Sequence, residues 1–187
     1  DHNIKLSGDW GSLTFDGHGG SSAFGAVDDK TPNAYEEAWD IIDTNDATAG
    51  GVPTVINGGG ANNMFIYNSP SMGGAVATVA YVDGGGGDGA DSYMDFAFAI
   101  SPDAVEGLTL GFANSDNTVN YSVDQDETTM YATYAYGSFT FGYQVSDYDA
   151  PTASASDDST AWGISYNITD DFSVSYNEHT VDIGSST

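Results

Sequence analysis

The stretch TTMYATYAYGSFTFGYQVSD, residues Thr128–Asp147, decides the fold class. From Phe139 to Val145 every second residue is large and apolar or aromatic, and the residues between them are Thr, Gly and Gln. Alternation with a period of two predicts a β-strand that presents one apolar face. Gly137 interrupts the stretch between two such segments, which predicts an antiparallel hairpin.

The same unit recurs along the chain. After residue 62, a strand, a short turn, a second strand and a longer loop follow one another four times, and one further hairpin lies near the start. The ten predicted strands are Asn3–Ser7, Ser12–Asp16, Asn63–Ser69, Gly74–Asp83, Ser92–Ser101, Leu108–Ala113, Thr128–Tyr136, Ser138–Asp147, Thr160–Asn167 and Phe172–Asn177. The predicted turns are short at one end of the sheet and longer and acidic at the other.

The two faces of these strands differ in the size of their side chains. One face is large and apolar or aromatic, while the other consists mainly of Gly, Ala, Ser and Thr. A soluble β-sandwich packs its large face inward, so the alternation alone permits a sandwich as well as a membrane barrel. A small, polar second face, Tyr and Trp near the strand ends, and short turns opposite long loops together favour an outer-membrane barrel.

The chain is strongly acidic. Its 28 Asp and Glu against 2 Lys and Arg give a formal net charge of −26. Such a chain repels nucleic acid, which we therefore exclude as a partner, and it attracts cations and divalent metals. Most acidic residues fall in stretches rich in Gly, Asn and Ser, so we expect them in solvated loops.

Several short motifs resemble those of a known family. LSGDWGSLTF, residues Leu6–Phe15, resembles the LSGDFGTLTFG hairpin of Gram-negative general porins, especially those of alphaproteobacteria. NMFIYNSPSMGG, residues Asn63–Gly74, resembles the NSIRYDSPSFGG motif of the same family. Ala75–Gly84 and Phe172–Asn177 are similar to later strands of these porins. The order and spacing of the motifs extend the resemblance over nearly the whole chain.

This resemblance implies an all-β fold, a transmembrane antiparallel β-barrel of sixteen strands, of which about ten are present in this chain. It implies a homotrimer in the bacterial outer membrane, in contact with lipid and lipopolysaccharide. The expected function is passive diffusion of small hydrophilic solutes and ions, without enzymatic activity. We interpret residues 1–187 as a single domain that lacks N- and C-terminal strands of such a barrel. The chain departs from the family in its ten strands, in a terminus without an aromatic residue, and in lacking a basic cluster that faces the acidic loop.

Residues 17–62 form the longest irregular segment, with a helical pattern only over 33–42. At this position porins carry a loop that folds into the barrel and narrows it, so the resemblance implies that 17–62 is the constriction loop. Carboxylates at a constriction lower the energy of cations and raise that of anions, which predicts a cation-selective pore. The candidate constriction residues are Asp28, Asp29, Glu36, Glu37, Asp40 and Asp43.

Calcium is a second hypothesis for the same loop. Carboxylate oxygens are the ligands that Ca²⁺ prefers, and few basic residues are present to pair with them. The candidate ligands are Asp28, Asp29, Glu36, Glu37 and Asp40, and solvated carboxylates are the alternative interpretation. We expect no required cofactor.

Three rival functions remain open at the level of sequence. A secreted, calcium-stabilised β-sandwich for binding or adhesion would bury the large face. An outer-membrane enzyme would need acid and His groups at the rim, where His18 and His179 have no clear partner pattern. A specific channel would need an aromatic track along the lumen, for which Tyr93 and Tyr131 are the main candidates.

Overall fold

A computed structural model describes residues 2–27, 29–32, 60–83, 92–119, 123–149 and 157–183. The predicted helical stretch at 33–42 lies outside these residues. Within them the only helical element is a 3₁₀ turn at Phe24–Ala26, and no helix is long and apolar enough to cross a membrane. The described chain is otherwise built from β-strands.

The strands are β1 (Asn3–Gly8), β2 (Gly11–Asp16), β3 (Gly20–Ser21), β4 (Gly60–Ala61), β5 (Met64–Asn68), β6 (Ala75–Val82), β7 (Tyr93–Ile100), β8 (Leu108–Val119), β9 (Val123–Tyr136), β10 (Phe139–Asp149), β11 (Asp157–Thr169) and β12 (Phe172–Ile183). Ten of them form one antiparallel sheet in the order β1-β2-β5-β6-β7-β8-β9-β10-β11-β12. The short strands β3 and β4, which the sequence did not predict, pair separately. Within the large sheet, each strand therefore pairs with the next strand of that sheet along the chain, as predicted.

Glycines shape the turns at the short-turn end of the sheet. Gly74 and Gly107 have φ of 83° and 84°, a left-handed conformation that side chains disfavour. A Cβ atom at either position would overlap a carbonyl oxygen, that of Ser101 or of Ala135. The same turns are hydrogen-bonded to the neighbouring strands. The backbone N–H of Ser101 donates to the Gly74 carbonyl at 3.0 Å, and the backbone N–H of Ala135 donates to the Gly107 carbonyl at 2.9 Å.

The sheet exposes its large side chains and buries its small ones. Phe98 and Phe141 are 42% and 45% exposed, whereas Ala80 and Ala113 on the opposite face are fully buried. We call the small-residue face the inner face and the aromatic face the outer face. A soluble sandwich would show the reverse arrangement, so the exposure argues against that alternative.

The outer face is continuous from strand to strand. Phe98 of β7 lies opposite Phe112 of β8, and Phe139 of β10 packs against Tyr166 of β11 with ring centroids 4.4 Å apart. The all-β antiparallel fold predicted from the sequence is confirmed. In the described sheet β1 and β12 are the edge strands, and a closed barrel of sixteen strands stays a prediction.

Phe98→Arg tests whether the outer face contacts lipid. An Arg among the aromatic side chains of the outer face is expected to lower the free energy of unfolding, by up to about 2–4 kcal/mol if it lies near the midplane of a bilayer. The measurement is urea unfolding of the full-length protein in lipid vesicles. Glu106→Arg, in the exposed turn between β7 and β8, should change it by no more than about 0.5 kcal/mol. Equal effects of the two substitutions would contradict a lipid-facing outer surface.

Candidate functional site

The chain that follows β2 crosses the inner face of the sheet. The 3₁₀ turn Phe24–Ala26 packs against β7 and β8. Phe24 is completely buried in a cluster that includes Ala80, Ala97 and Ala113 of the inner face. The small side chains of the wall therefore leave room for one large side chain of the crossing segment. We call residues 22–27 and 29–32 the crossing segment.

Asp95 holds the start of the crossing segment. This side chain on the inner face of β7 is 1% exposed. Its carboxylate accepts hydrogen bonds from the backbone N–H groups of Ala23 at 3.1 Å and Phe24 at 2.7 Å, and from the Tyr93 hydroxyl at 2.8 Å. A buried carboxylate is very costly unless it is hydrogen-bonded, and the first N–H groups of a helical turn have no partner within the turn. The carboxylate therefore gives these N–H groups their acceptors, and the N–H groups stabilise the buried carboxylate.

Gln144 holds the next part of the crossing segment. It lies on the inner face of β10 and is 1% exposed. Its Nε2 donates to the Val27 carbonyl at 3.0 Å and to Thr129 Oγ1 at 2.8 Å, and its Oε1 accepts from the Lys30 N–H at 2.7 Å. One amide side chain thus fixes the backbone at Val27 and at Lys30 against the wall.

Asp29 is the one predicted constriction residue within the described range. It is half-buried, and its Oδ1 accepts hydrogen bonds from the Thr31 N–H at 3.0 Å and the Thr31 hydroxyl at 2.8 Å. It also interacts electrostatically with His179 of β12. Asp29 therefore lies at the inner wall, in a turn that its own carboxylate helps to form. The other candidates, Asp28, Glu36, Glu37, Asp40 and Asp43, lie outside the described residues.

The described residues offer no metal centre of their own. Among them no three His, Asp or Glu side chains come together in a way that could hold an ion. The predicted calcium ligands lie, with the exception of Asp29, outside these ranges. Calcium binding and placement of these acids at a constriction both stay predictions.

Sequence reasoning missed Asp95 and Gln144. The signal was present, because each has a carboxylate or amide group at an inner position of a strand whose other inner residues are mostly small. Such a residue was interpreted only as part of a polar wall. Its partner groups are backbone atoms of a distant segment, which the sequence pattern of the strand does not reveal.

Some acidic residues lie outside the loops in which we expected most of them. Among the described side chains, six Asp residues lie in strands and on the outer face: Asp116, Asp126, Asp147, Asp149, Asp158 and Asp182. They continue the outer face beyond its apolar part, at the long-loop ends of β8–β12. Asp147 lies within a predicted strand, whereas the other five lie beyond the predicted strand ends, because these strands are longer than predicted and backbone pairing continues where the side chains become acidic.

Several of these residues face each other across the sheet. Asp147 lies directly opposite Asp158, and Asp158 opposite Asp182. Asp147 follows Val145, the last apolar residue of the outer face of β10, and thus lies outside the apolar part that would span a membrane. A hydrogen bond with the Asp158 carboxyl, burial, and the charges of Asp149 and Asp158 raise the pKa of Asp147 to about 6.

This architecture is similar to that of known proteins. A family model described as Gram-negative porin matches residues 1–186. The anion-selective porin from Comamonas acidovorans superposes with a TM-score of 0.71 at 18% identity, over 97% of this chain and 56% of that porin. A multiply substituted mutant of Rh. blastica porin superposes with a TM-score of 0.46 at 15% identity, over 96% of this chain and 73% of that one. No curated protein sequence matches. The chain thus spans little more than half the length of the Comamonas porin.

Asp95→Asn is expected to loosen the crossing segment. The amide keeps one oxygen acceptor but turns an N–H₂ donor toward a site built from donors. Because hydrogen bonds to a charged group contribute about 1.5–3 kcal/mol, a loss of that size in the free energy of unfolding is expected. Urea unfolding of the full-length protein measures it. Asp103→Asn, in an exposed turn, is the matched control, and an equally small effect of both would contradict the role of Asp95.

Asp147→Asn is expected to change how stability depends on pH. The folded protein binds this proton more tightly than the unfolded chain, because the pKa rises from 3.8 to about 6. The stabilisation is therefore present below about pH 4 and is lost as the pH rises toward 6. The variant should lose less stability than the wild type between those values, measured as unfolding free energy against pH. Asp103→Asn should keep the wild-type dependence; if Asp147→Asn also does, the assignment to the pair is wrong.

Proposed function

Because this chain belongs to the Gram-negative porin family, and therefore to the bacterial outer membrane, we propose that it forms part of a water-filled pore for passive diffusion of small hydrophilic solutes and ions. The crossing segment, held on a wall of small residues by Asp95 and Gln144, carries the proposal. A pore requires no catalytic chemistry, and the family and the fold point to a channel rather than an enzyme.

The two faces of the sheet support a pore. A barrel in a membrane needs an apolar outer band and a polar or small-residue interior. The outer face carries exposed Phe96, Phe98 and Phe141, and the inner face carries Ala, Gly, Ser and Thr. The crossing segment lies on the inner face, where it takes up space that water would otherwise fill. Such a segment narrows the passage and brings its own charges close to the solute.

We further propose that the pore prefers cations. Asp29 lies at the inner wall, and with 2 basic residues against 28 acidic ones the chain has few cations to neutralise a carboxylate there. Two unit charges about 4 Å apart interact by roughly 1 kcal/mol in bulk water and by several times that near a low-dielectric wall, so a few carboxylates bias transport. The proposed constriction residues are Asp28, Asp29, Glu36, Glu37, Asp40 and Asp43. The Comamonas porin is described as anion-selective, but at 18% identity it indicates the fold alone.

We also propose how the barrel is closed and assembled. β1 and β12 each have a single neighbour in the described sheet, and an unpaired strand edge in lipid leaves backbone groups without partners. We propose that further strands pair with both edges to close a barrel of sixteen, and that the barrel forms a homotrimer in contact with lipid and lipopolysaccharide. We also propose that the loop can bind Ca²⁺ through Asp28, Asp29, Glu36, Glu37 and Asp40. We propose no required cofactor.

Single-channel recording tests the function. The full-length protein in a planar bilayer under a KCl gradient is expected to give discrete current steps, with a reversal potential that favours K⁺. Glu36→Gln, Glu37→Gln and Asp40→Asn combined should move that potential toward zero, because fewer carboxylates then attract the cation. Asp170→Asn with Asp171→Asn, in the exposed turn between β11 and β12, is the matched control. A protein that gives no current steps would refute the pore, and an unshifted potential would refute the constriction residues.

A further inference from the structure

Two glycines face each other in the middle of the inner wall. Gly142 of β10 lies directly opposite Gly163 of β11, and both are buried. Glycine inside a strand is less favourable than alanine by roughly 0.5–1 kcal/mol. Neither residue is among the glycines with positive φ, so the backbone conformation does not demand them. The missing side chains are therefore what the position requires.

Pro32 of the crossing segment occupies the space that the two glycines leave. A Cβ atom on Gly142 would overlap Pro32 Cδ and would lie 3.1 Å from Pro32 Cγ. A Cβ atom on Gly163 would lie 2.8 Å from the Pro32 carbonyl oxygen and 3.3 Å from its Cδ. The pyrrolidine ring thus packs directly against the backbone of the wall.

The contact is reinforced one step earlier along the crossing segment. Gln144, two residues from Gly142 on the same strand and the same face, accepts the hydrogen bond of the Lys30 N–H. A Cβ atom on Gly142 would also lie 3.2 Å from the Lys30 carbonyl oxygen. The chain from Lys30 to Pro32 therefore lies so close to the wall that a single added Cβ atom on Gly142 would contact it at both ends.

We propose that Gly142 and Gly163 form a seat for Pro32 that sets how far the crossing segment stands from the inner wall. This inference rests on the proposed pore function. The segment occupies the interior, so each increment of its distance from the wall reduces the free cross-section of the passage. Gly142 and Gly163 are positioning residues in this account, since they act on the solute only through the segment they hold.

The two glycines meet different parts of Pro32, and this gives a sharp test. The nearest atom to a Cβ on Gly142 belongs to the proline ring, which Pro32→Ala removes. The nearest atom to a Cβ on Gly163 is the backbone carbonyl oxygen, which Pro32→Ala retains. Relief by Pro32→Ala is therefore expected at Gly142 and not at Gly163. A glycine pair needed only for the shape of the sheet would show no such difference.

The measurement is single-channel conductance of the full-length protein in planar bilayers, with resistance to SDS at room temperature as the check of folding. Gly142→Ala and Gly163→Ala should each lower the conductance, because Pro32 moves toward the lumen. The double variant Gly142→Ala with Pro32→Ala should return to the level of Pro32→Ala alone, whereas Gly163→Ala should lower conductance in either background. Gly137→Ala is the control, because Gly137 lies in the exposed turn between β9 and β10 and an added Cβ atom there has no neighbour within 4 Å.

The outcomes distinguish a failure of the proposed seat from a failure of the proposed pore function. A wild-type protein without channels would overturn the proposed function itself. Wild-type channels with unchanged conductance in folded Gly142→Ala and Gly163→Ala would overturn the seat alone. A conductance loss in Gly142→Ala that persists undiminished in the Pro32→Ala background would also overturn it. If Gly142→Ala does not fold by itself, recovery of folding in the double variant supports the seat, and Gly163→Ala still tests the conductance.

Discussion

The hydrogen bonds from the backbone of Ala23 and Phe24 to the buried Asp95 carboxylate hold the crossing segment on the inner face of the sheet. A carboxylate in this position needs donors, and the start of the 3₁₀ turn needs acceptors, so the two are stable only together. Once the turn is held there, Phe24 lies against the wall and requires neighbours as small as Ala80, Ala97 and Ala113. Gln144 and the glycines opposite Pro32 extend the same arrangement across the sheet to β11.

A wall of small residues has a consequence for the other face. Because strand side chains alternate, the large side chains that the inner face excludes must lie on the outer face. In water such a surface would be an aggregation hazard, whereas in lipid the same side chains are in a suitable solvent. The interior contact with the crossing segment and the exterior contact with the membrane are therefore two results of one alternation. A substitution that enlarges an inner residue disturbs the first without affecting the second.

The fold could be predicted well from the sequence because alternation and turn spacing are local properties. The predicted hairpin from Thr128 to Asp147 corresponds to β9 and β10. Strand ends were predicted less well: β8 extends to Val119 and not to Ala113, since backbone pairing continues after the apolar pattern stops. The contacts of Asp95 and Gln144 could not be predicted, because their partners lie 72 and 117 residues away in sequence. Of the candidate constriction residues, only Asp29 lies where the structure gives it contacts.

Acidic residues in this chain serve different physical purposes according to their position. Asp95 is enclosed by donors and holds backbone, Asp29 shapes a turn at the wall, and Asp147 shares a hydrogen bond with Asp158 on the outer face. Exposed charges separated by more than about 8–10 Å are largely screened at physiological salt. The outer row is separated from the inner face by the sheet itself, so we expect its charge to act less on a solute in the proposed pore than a charge on the inner face does. The outer row therefore adds to the net charge of −26 without lying on the inner face, so the proposed preference for cations rests on carboxylates at the inner wall, such as Asp29.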